Sequence, residues 1–313
     1  MSPSIPLSGR LPAGQLPITT KNKRQFDIAV SAIAESRTTY PIIAVVDGLA
    51  GTGKSVAAYD HIIGLRERPH NGLRAGLLIE VPPGVTAREV ARAIVSATGE
   101  KPRGRDPNRF SLKDDAVGAI LINDIEYIII DEADRLDEEA FEMVRTVFDE
   151  SQCPVILVGL PPIRQVIRRK EKFESRVGFY LRFTPLDRDE VLHTILPKLE
   201  FPCWEYDPDN PEDYALGEYL LGKVGSSFRR LRNVLRLASI AANDLDNPTK
   251  ITRDDIDEAV SYAQQNSNNA DLQSAEPGLG SSGGRGDAEI KSEQRNAYKH
   301  DKRQGEGGQR DEL

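Results

Sequence analysis

A glycine-rich segment at residues 45–57, VVDGLAGTGKSVA, has the residue types and the spacing needed to hold phosphate groups. It fits the pattern G-x-x-x-x-G-K-[ST], and it lies between an apolar run and a helical pattern, which is the context that this motif requires. The glycines let the backbone curl so that successive N–H groups point inward, and the helix that begins near Lys54 adds its positive dipole end. The predicted phosphate-binding residues are Gly48, Leu49, Ala50, Gly51, Thr52, Gly53, Lys54, Ser55 and Val56.

Two side chains of this loop are predicted to take part in chemistry. Lys54 would lie along the β- and γ-phosphates of a nucleoside triphosphate, and the Ser55 hydroxyl would ligate Mg²⁺. The alternative is a glycine-rich turn that matches the pattern by accident, which the strand before it and the helix after it disfavour. The loop therefore predicts ATP and Mg²⁺ as ligands.

A second segment, IEYIIIDEADRLDEE at residues 125–139, ends an apolar run with two adjacent carboxylates. Asp131 is suited to hold Mg²⁺, directly or through water, and Glu132 is suited to polarise the water that attacks the γ-phosphate. An ordinary boundary between a strand and a turn would look similar, but the position downstream of a phosphate-binding loop favours chemistry. We therefore predict Ser55 and Asp131 as metal ligands, and Glu132 and Lys54 as catalytic residues.

The letters DEAD at residues 131–134 are shared with a large class of helicases, which resemble two tandem RecA-like domains. The second of those domains supplies a motif like Q-x-x-G-R-x-x-R. Here the residues after the last predicted strand read as helices and lack this motif. An LSGGQ-like signature is also missing between the two phosphate motifs, which disfavours an ABC transporter. The sequence thus indicates another class of ATP-driven protein.

Short apolar runs alternate with helical periodicity, and these elements would position the two motifs. The predicted strands are 41–46, 75–81, 126–131, 154–159 and 179–183, and the predicted helices are about 21–36, 54–66, 86–98, 111–122 and 137–150. In the first helix Phe26, Ile28, Ala29 and Ala32 are expected on the buried side. Continuous Ile, Val and Leu strands separated by helices predict an α/β fold with a parallel sheet covered on both faces.

Composition divides the chain further. The first segment contains four prolines. The capping box Thr252…Asp255 indicates the start of a late helix. At the end of the chain Asn, Ser, Gln and Gly dominate, and too little apolar area is available there to offset the entropy of ordering. We predict an extended N-terminal arm at 1–20, a nucleotide-binding α/β domain at 21–186, a small all-helical lid domain at 187–263 and a disordered tail at 264–313.

The overall composition is that of an ordinary globular protein, with 39% hydrophobic and 29% charged residues. No run reaches the roughly 20 apolar residues that span a bilayer, and the N-terminus has no apolar region typical of a secretory signal. Two cysteines form neither a disulfide framework nor a metal site, so a cytoplasmic protein without a membrane partner is predicted. Because the net charge is −8, any nucleic-acid contact must come from a local basic patch.

Two further features resemble AAA+ proteins, a class of P-loop NTPases with a helical lid, and a third position departs from their pattern. The segment EKFESRVGFYLRF is similar to the one that places an arginine finger at the subunit edge, with Arg176 at the matching position and Arg182 in reserve. The segment VGSSFRRLRNVLRLA resembles the sensor-2 motif, which implies that Arg229 contacts the nucleotide. A solvated surface arginine and an ordinary amphipathic helix are the alternatives. Leu160 or Pro161 stands where such proteins carry a polar sensor residue, which puts γ-phosphate sensing there in doubt.

Within AAA+ proteins the combination IIIDEADRL…ILVG…SR…LRF…FRRL resembles the transposition-regulator ATPases TniB, MuB and TnsC over about residues 20–263. This resemblance implies an ATP-dependent homo-oligomer, ring or filament, that forms on double-stranded DNA and recruits a transposase. Origin-recognition-like and secretion-associated ATPases share much of the pattern. An origin-recognition-like loader and a signalling or defence switch that works without DNA therefore remain open.

A basic segment, GEKPRGRDPNRFSLKDD at residues 99–115, is the candidate DNA contact. One such loop per subunit would track the phosphate backbone, and because nothing resembles a base-reading helix, we expect sequence-independent binding. A solvated surface loop is the alternative. The candidate DNA-binding residues are Lys101, Arg103, Arg105 and Arg109, with Lys113 close by.

Overall fold

The computed structural model of the protein describes residues 18–66, 76–104, 108–243 and 249–274. A five-stranded sheet forms its centre, with strands β1 (Ile43–Gly48), β2 (Gly76–Glu80), β3 (Tyr127–Asp131), β4 (Val155–Gly159) and β5 (Val177–Phe183). The strand order is β2-β3-β4-β1-β5, and all neighbouring strands are parallel. The predicted α/β fold with a parallel sheet is confirmed.

Helices cover both faces of this sheet. They are α1 (Lys21–Ser36), α2 (Lys54–Arg66), α3 (Ala87–Thr98), α4 (Arg109–Ile122), α5 (Glu138–Ser151), α6 (Pro162–Arg168) and α7 (Glu171–Glu174). Side chains of α1 and α2 pack on one face, and side chains of α3 to α7 pack on the other. The central strands β1, β3 and β4 are buried along their whole length, which explains their nearly continuous apolar sequences.

Two helices differ in detail from the prediction. The α4 helix begins at Arg109 rather than 111, because the Asn108 side chain accepts the N–H of Ser111 at 2.9 Å and caps the helix two residues earlier. In α1 the predicted buried face was wrong for Ile28, which is 71% exposed, and for Ala32, which is exposed as well. The buried positions are Phe26, Ala29, Val30 and Ile33, the spacing of one helix face.

Among the described residues after β5, the chain forms helices joined by loops and no further strand. The short helix α8 (Arg188–Glu190) continues through a π-helical turn (Val191–Ile195) and a 3₁₀ turn (Leu196–Lys198) to α9 (Pro211–Val224), α10 (Phe228–Ala242) and α11 (Arg253–Ser274). These elements enclose their own apolar core around Trp204 and Leu235. The predicted capping box is present, since Asp255 accepts the N–H and hydroxyl of Thr252 at 2.8 and 2.7 Å.

Sheet and helical lid belong to one compact unit that ends at Gln264. The predicted division at residue 187 therefore separates two apolar cores within one unit. Helix α11 continues into the predicted tail, because its sequence contains no glycine or proline to end it. Residue Ile18 of the predicted arm packs against the lid core, whereas residues 1–17 and 275–313 lie outside the described residues. Among the described helices, none has the length and apolar composition needed to cross a bilayer.

Candidate nucleotide-binding site

The glycine-rich loop connects the end of β1 to the start of α2 at the carboxyl edge of the sheet. Gly51 and Gly53 have φ values of +80° and +92°, a left-handed conformation that favours glycine. A Cβ atom at Gly48 would lie 2.7 Å from the Phe183 carbonyl oxygen on the neighbouring strand β5. The loop therefore needs glycine for its own turn and for its close approach to the sheet, and α2 then begins at Lys54.

Lys54 points into the loop and is only 8% exposed. Its ammonium group donates hydrogen bonds to the carbonyl oxygens of Gly48 at 2.7 Å and Leu49 at 3.0 Å. Burial lowers the pKa of Lys54, and nearby carboxylates partly oppose this effect; they are Asp131, Glu132, Asp134 and Asp47. The loop thus encloses a cation that faces an acidic neighbourhood.

The two predicted carboxylates lie at the end of β3, next to the start of α2. Asp131 is 5% exposed and accepts hydrogen bonds from the Ser55 hydroxyl and from the backbone N–H of Glu132, the latter at 2.9 Å. Burial raises the pKa of Asp131, and these hydrogen bonds act in the opposite direction. Glu132 has a left-handed backbone, φ +57°, and its carboxylate lies 3.5 Å from the Arg135 guanidinium.

A third carboxylate joins this edge of the sheet. Asp134 follows Glu132 in a 3₁₀ turn, and its Oδ1 accepts the backbone N–H of Leu160 at 2.8 Å. Gly159, at the end of β4, makes this approach possible, because a Cβ atom there would lie 2.7 Å from the same oxygen. Sequence reasoning did not identify Asp134, although it is the fourth letter of DEAD and a glycine precedes Leu160 in the sequence. The end of β4, where residues 160 and 161 offer no polar side chain, is thus contacted by a carboxylate from the turn after β3.

Helix α10 closes the cleft on the side of the lid. A Cβ atom at Gly51 would lie 2.9 Å from Ser227 Oγ, the residue that caps α10, and 3.6 Å from Arg229 Cβ. A cavity of about 720 Å³ lies between the loop, the acidic pair and this helix. Its lining includes Lys54, Ser55, Asp131, Glu132 and Arg229. The structure therefore brings these five predicted residues to one cavity.

A second cavity of about 450 Å³ adjoins the first and shares Gly53, Val56, Phe228 and Arg232 with it. Its wall also contains Lys23 of α1 and Asp60 of α2, whose side chains form an ion pair at 2.9 Å. Sequence reasoning did not identify Lys23 and Asp60, because neither belongs to a recognisable motif.

Residues 37–167 match a family model described as "AAA domain". The "Structure of the Aeropyrum pernix ORC1 protein in complex with DNA" superposes with a TM-score of 0.63 at 16% identity, over 83% of this chain and 70% of that one. The ORC2 protein of the same organism, in ADPNP–ADP complexes, gives a TM-score of 0.61 at 18% identity, over 80% and 70%. The fold is that of an AAA+ P-loop NTPase.

A curated relative from Staphylococcus aureus, described as "Potential ATP-binding protein", is 28% identical over 110 residues. The match covers 35% of this chain and 41% of that relative, so this chain matches less than half of the relative's length. Drosophila ORC bound to DNA is also similar in fold, with a TM-score of 0.55 at 14% identity over 83% and 70% of the two chains. The AAA domain match agrees with the fold of this chain.

The two candidates for the arginine finger, Arg176 and Arg182, do not line the cavity beside the glycine-rich loop. Arg176 precedes β5 at the amino edge of the sheet, where its carbonyl oxygen accepts the N–H of Ile43 at 2.9 Å. Its guanidinium pairs with Asp149 of α5 at 2.5 Å. Arg182, near the carboxyl end of β5, pairs at 2.9 Å with the fully buried Asp47.

The candidate DNA-binding residues differ in their exposure and in whether they form ion pairs within the chain. Lys101 is exposed, and Arg103 has an 80% exposed side chain whose Nε lies 3.4 Å from Asp115. Arg109 is paired with Glu139 at 3.0 Å, and Lys113 is paired with Asp114 and Glu150 at 2.7 and 2.6 Å. Arg105 lies outside the described residues. Positive charge is therefore most available around Lys101 and Arg103.

Proposed function

We propose that this chain is a Mg²⁺-dependent AAA+ ATPase that binds ATP in the cleft between the phosphate loop and α10. The observation that carries the proposal is the convergence of Lys54, the Ser55–Asp131 hydrogen bond and Glu132 on one cavity. A buried cation, two oxygen ligands and an adjacent carboxylate are the groups that phosphoryl transfer to water requires.

Binding uses groups that the cleft already holds in place. Phosphate oxygens would replace the carbonyl partners of Lys54, whose charge then lies along the β- and γ-phosphates. Arg229 would reach the phosphates from the lid. The smaller cavity, with Phe228 and the Lys23–Asp60 ion pair in its wall, would take the base and ribose.

The donor set at the end of β3 fits Mg²⁺, which prefers hard oxygen ligands and keeps several waters. The Ser55 hydroxyl and the Asp131 carboxylate already contact each other, so both oxygens can face one ion. When bound, Mg²⁺ neutralises charge that develops on the phosphates. Glu132 would orient and deprotonate the attacking water, and the Arg135 ion pair at 3.5 Å limits its rotation.

Hydrolysis would be completed by a second copy of the chain. Arg176 lies away from its own cleft and precedes the edge strand β5, a place from which it would serve the ATP of a neighbour. An arginine supplied in trans can increase turnover about 10³- to 10⁵-fold. Hydrolysis would then depend on assembly, and ATP would control the lifetime of the oligomer.

This dependence is tested by mixing two inactive variants. Glu132→Gln should bind ATP and assemble but hydrolyse poorly, and Arg176→Ala should leave its own acidic pair intact. An equimolar mixture forms interfaces in which an intact Glu132 faces an intact Arg176, so ATP hydrolysis should reappear. A mixture that stays as inactive as its components would refute hydrolysis in trans, and Lys54→Ala, which should neither bind ATP nor assemble, is the control.

We further propose duplex DNA as the macromolecular partner, bound without sequence preference. Lys101 and Arg103 supply exposed positive charge, with Arg105 and Arg109 as further candidates. The fold similarity to A. pernix ORC1 in complex with DNA and to Drosophila ORC bound to DNA supports a DNA-associated role.

A salt titration tests the DNA contact. Each phosphate contact contributes about 0.9 to the slope of log affinity against log salt. Arg103→Ala should weaken binding and flatten the slope by about this amount, whereas Arg24→Ala, which removes an exposed arginine from α1, should leave the slope unchanged. Equal slopes for the two variants would remove the segment from the DNA interface.

At the finest level we propose that the DNA-bound oligomer recruits or activates a transposase, because the linked motifs resemble TniB, MuB and TnsC. The second candidate is an origin-recognition-like loader, which the similarity to ORC proteins favours. Copurification and transposition assays with a transposase encoded beside the gene separate the two. Target-site integration that depends on Lys54 would support the first, and loading of a helicase onto DNA would support the second.

A further inference from the structure

The side chain of Arg176 is fully engaged within its own subunit. Its Nε and Nη2 donate to the two carboxylate oxygens of Asp149 at 2.5 and 2.8 Å. Its Nη1 donates to the carbonyl oxygen of Lys172 and to Ser175 Oγ, the latter at 3.3 Å. The side chain is nevertheless 28% exposed, so it lies at the surface without a free nitrogen.

The arrangement is the fork-to-fork pairing of a guanidinium with two oxygens that arginine also makes with phosphate. Asp149 therefore occupies the place that two oxygens of a phosphate group would take. An arginine in this position cannot serve a neighbouring nucleotide until it leaves Asp149.

Asp149 has a second cationic partner that would remain after Arg176 leaves. Arg145, one helical turn earlier on α5, donates from Nη1 to Asp149 Oδ2 at 2.8 Å. Arg145 is itself held by Glu142, which accepts from its Nε and Nη2 at 3.0 and 2.7 Å. Breaking an ion pair is costly mainly when a charge is left without a partner, so Arg145 makes the release of Arg176 less costly.

We propose that Asp149 holds Arg176 in the free subunit and, with Arg145 as its remaining partner, releases it to the phosphate chain of ATP bound by a second copy. The inference rests on the proposed function and names the regulation of that same site. A triphosphate at the neighbour carries more charge than a diphosphate and competes better with the single carboxylate of Asp149. Contact between copies would thus depend on whether the neighbour holds ATP or ADP.

The test measures ATP turnover per subunit against protein concentration, with the full chain and saturating Mg²⁺ and ATP. Asp149→Asn keeps the shape and removes the charge, so half-maximal turnover should occur at about tenfold lower protein concentration, the lower limit for one hydrogen bond to a charged group. Glu138→Gln, the same charge change on the same helix at a residue paired with Lys170, should not shift the curve.

A second variant should shift the protein concentration at half-maximal turnover in the opposite direction. Arg145→Met removes the alternative partner of Asp149, so Arg176 is held more firmly and half-maximal turnover should need more protein. A purely structural role of the cluster would impair both variants in the same direction. The double variant Asp149→Asn, Arg176→Ala should be as slow as Arg176→Ala alone.

Three results would overturn the inference: Asp149→Asn without a shift, Asp149→Asn as slow as Arg176→Ala, or a gain that persists in the double variant. Wild-type turnover of Arg176→Ala alone would instead remove the proposed hydrolysis in trans. The two failures are therefore distinguishable.

Discussion

Replacing Asp134 by alanine is expected to slow ATP hydrolysis without weakening ATP binding. The Asp134 carboxylate ties the turn after β3 to the backbone N–H of Leu160 at 2.8 Å, and Glu132 lies two residues before it in the same turn. Because residues 160 and 161 offer no polar side chain, this hydrogen bond joins the two strand ends beside the cleft. Without it Glu132 should hold the attacking water less firmly.

The size of the effect follows from the contact. A hydrogen bond to a charged group contributes about 1.5–3 kcal/mol, and Leu160 is exposed enough for water to replace part of it. We take the lower limit, which corresponds to about a tenfold lower kcat. Asp134→Asn keeps an oxygen for the same N–H, so about a threefold loss is expected.

The effect on binding should have the opposite sign. The negative charge of Asp134 acts on Lys54 and opposes the fall in its pKa. Removing this charge leaves the loop more attractive to phosphates, so the Kd for ATP should stay the same or decrease. A lower kcat with an unchanged or lower Kd separates positioning of Glu132 from general damage to the cleft.

Phosphate release at saturating ATP, together with titration of a fluorescent ATP analogue, measures both quantities. Asp124→Asn is the control, since Asp124 precedes the opposite end of β3 and pairs with Arg37 at the surface; both quantities should remain those of the wild type. Wild-type kcat for Asp134→Ala, or a loss expressed entirely in Kd, would refute the reasoning.

Much of the fold could be predicted because its signals are local. Each strand is a short apolar run, and helices such as α3 and α5 bury apolar residues spaced three and four positions apart, so neighbouring residues specify these elements. The phosphate loop and the Asp131–Glu132 pair can each be recognised from a few consecutive residues. Because parallel strands end at one edge of a sheet, the sequence also indicates that Ser55 and Asp131 lie close together. Their contact needed no knowledge of side-chain packing.

The remaining contacts join residues that are far apart in the chain. Asp134 meets Leu160 across two strand ends, and Arg176 meets Asp149 between α5 and the start of β5. Such pairs depend on helix packing angles and strand register, which periodicity does not determine. The same limit explains Ile28, since a helix can rotate by one position and still present an apolar face to the sheet.

Three more predictions concern the strands beneath the loop. Asp47→Ala should lower the free energy of unfolding in urea by about 2–4 kcal/mol, because Arg164 loses its fully buried partner, while the exposed Arg182 adds little; an unchanged midpoint would contradict this. Gly48→Ala should abolish binding of the ATP analogue, since its Cβ would meet the Phe183 carbonyl oxygen. Asp131→Asn should stop hydrolysis yet stabilise the nucleotide-free protein at neutral pH. Burial raises the pKa of Asp131, so the native state binds its proton more tightly than the unfolded chain, and this residue's contribution to stability falls as pH rises through the window between the two pKa values. The asparagine carries no such penalty, so the gain in the free energy of unfolding in urea should be largest above that window and shrink as the pH falls through it. A gain that does not change with pH would show that burial does not raise the pKa of Asp131.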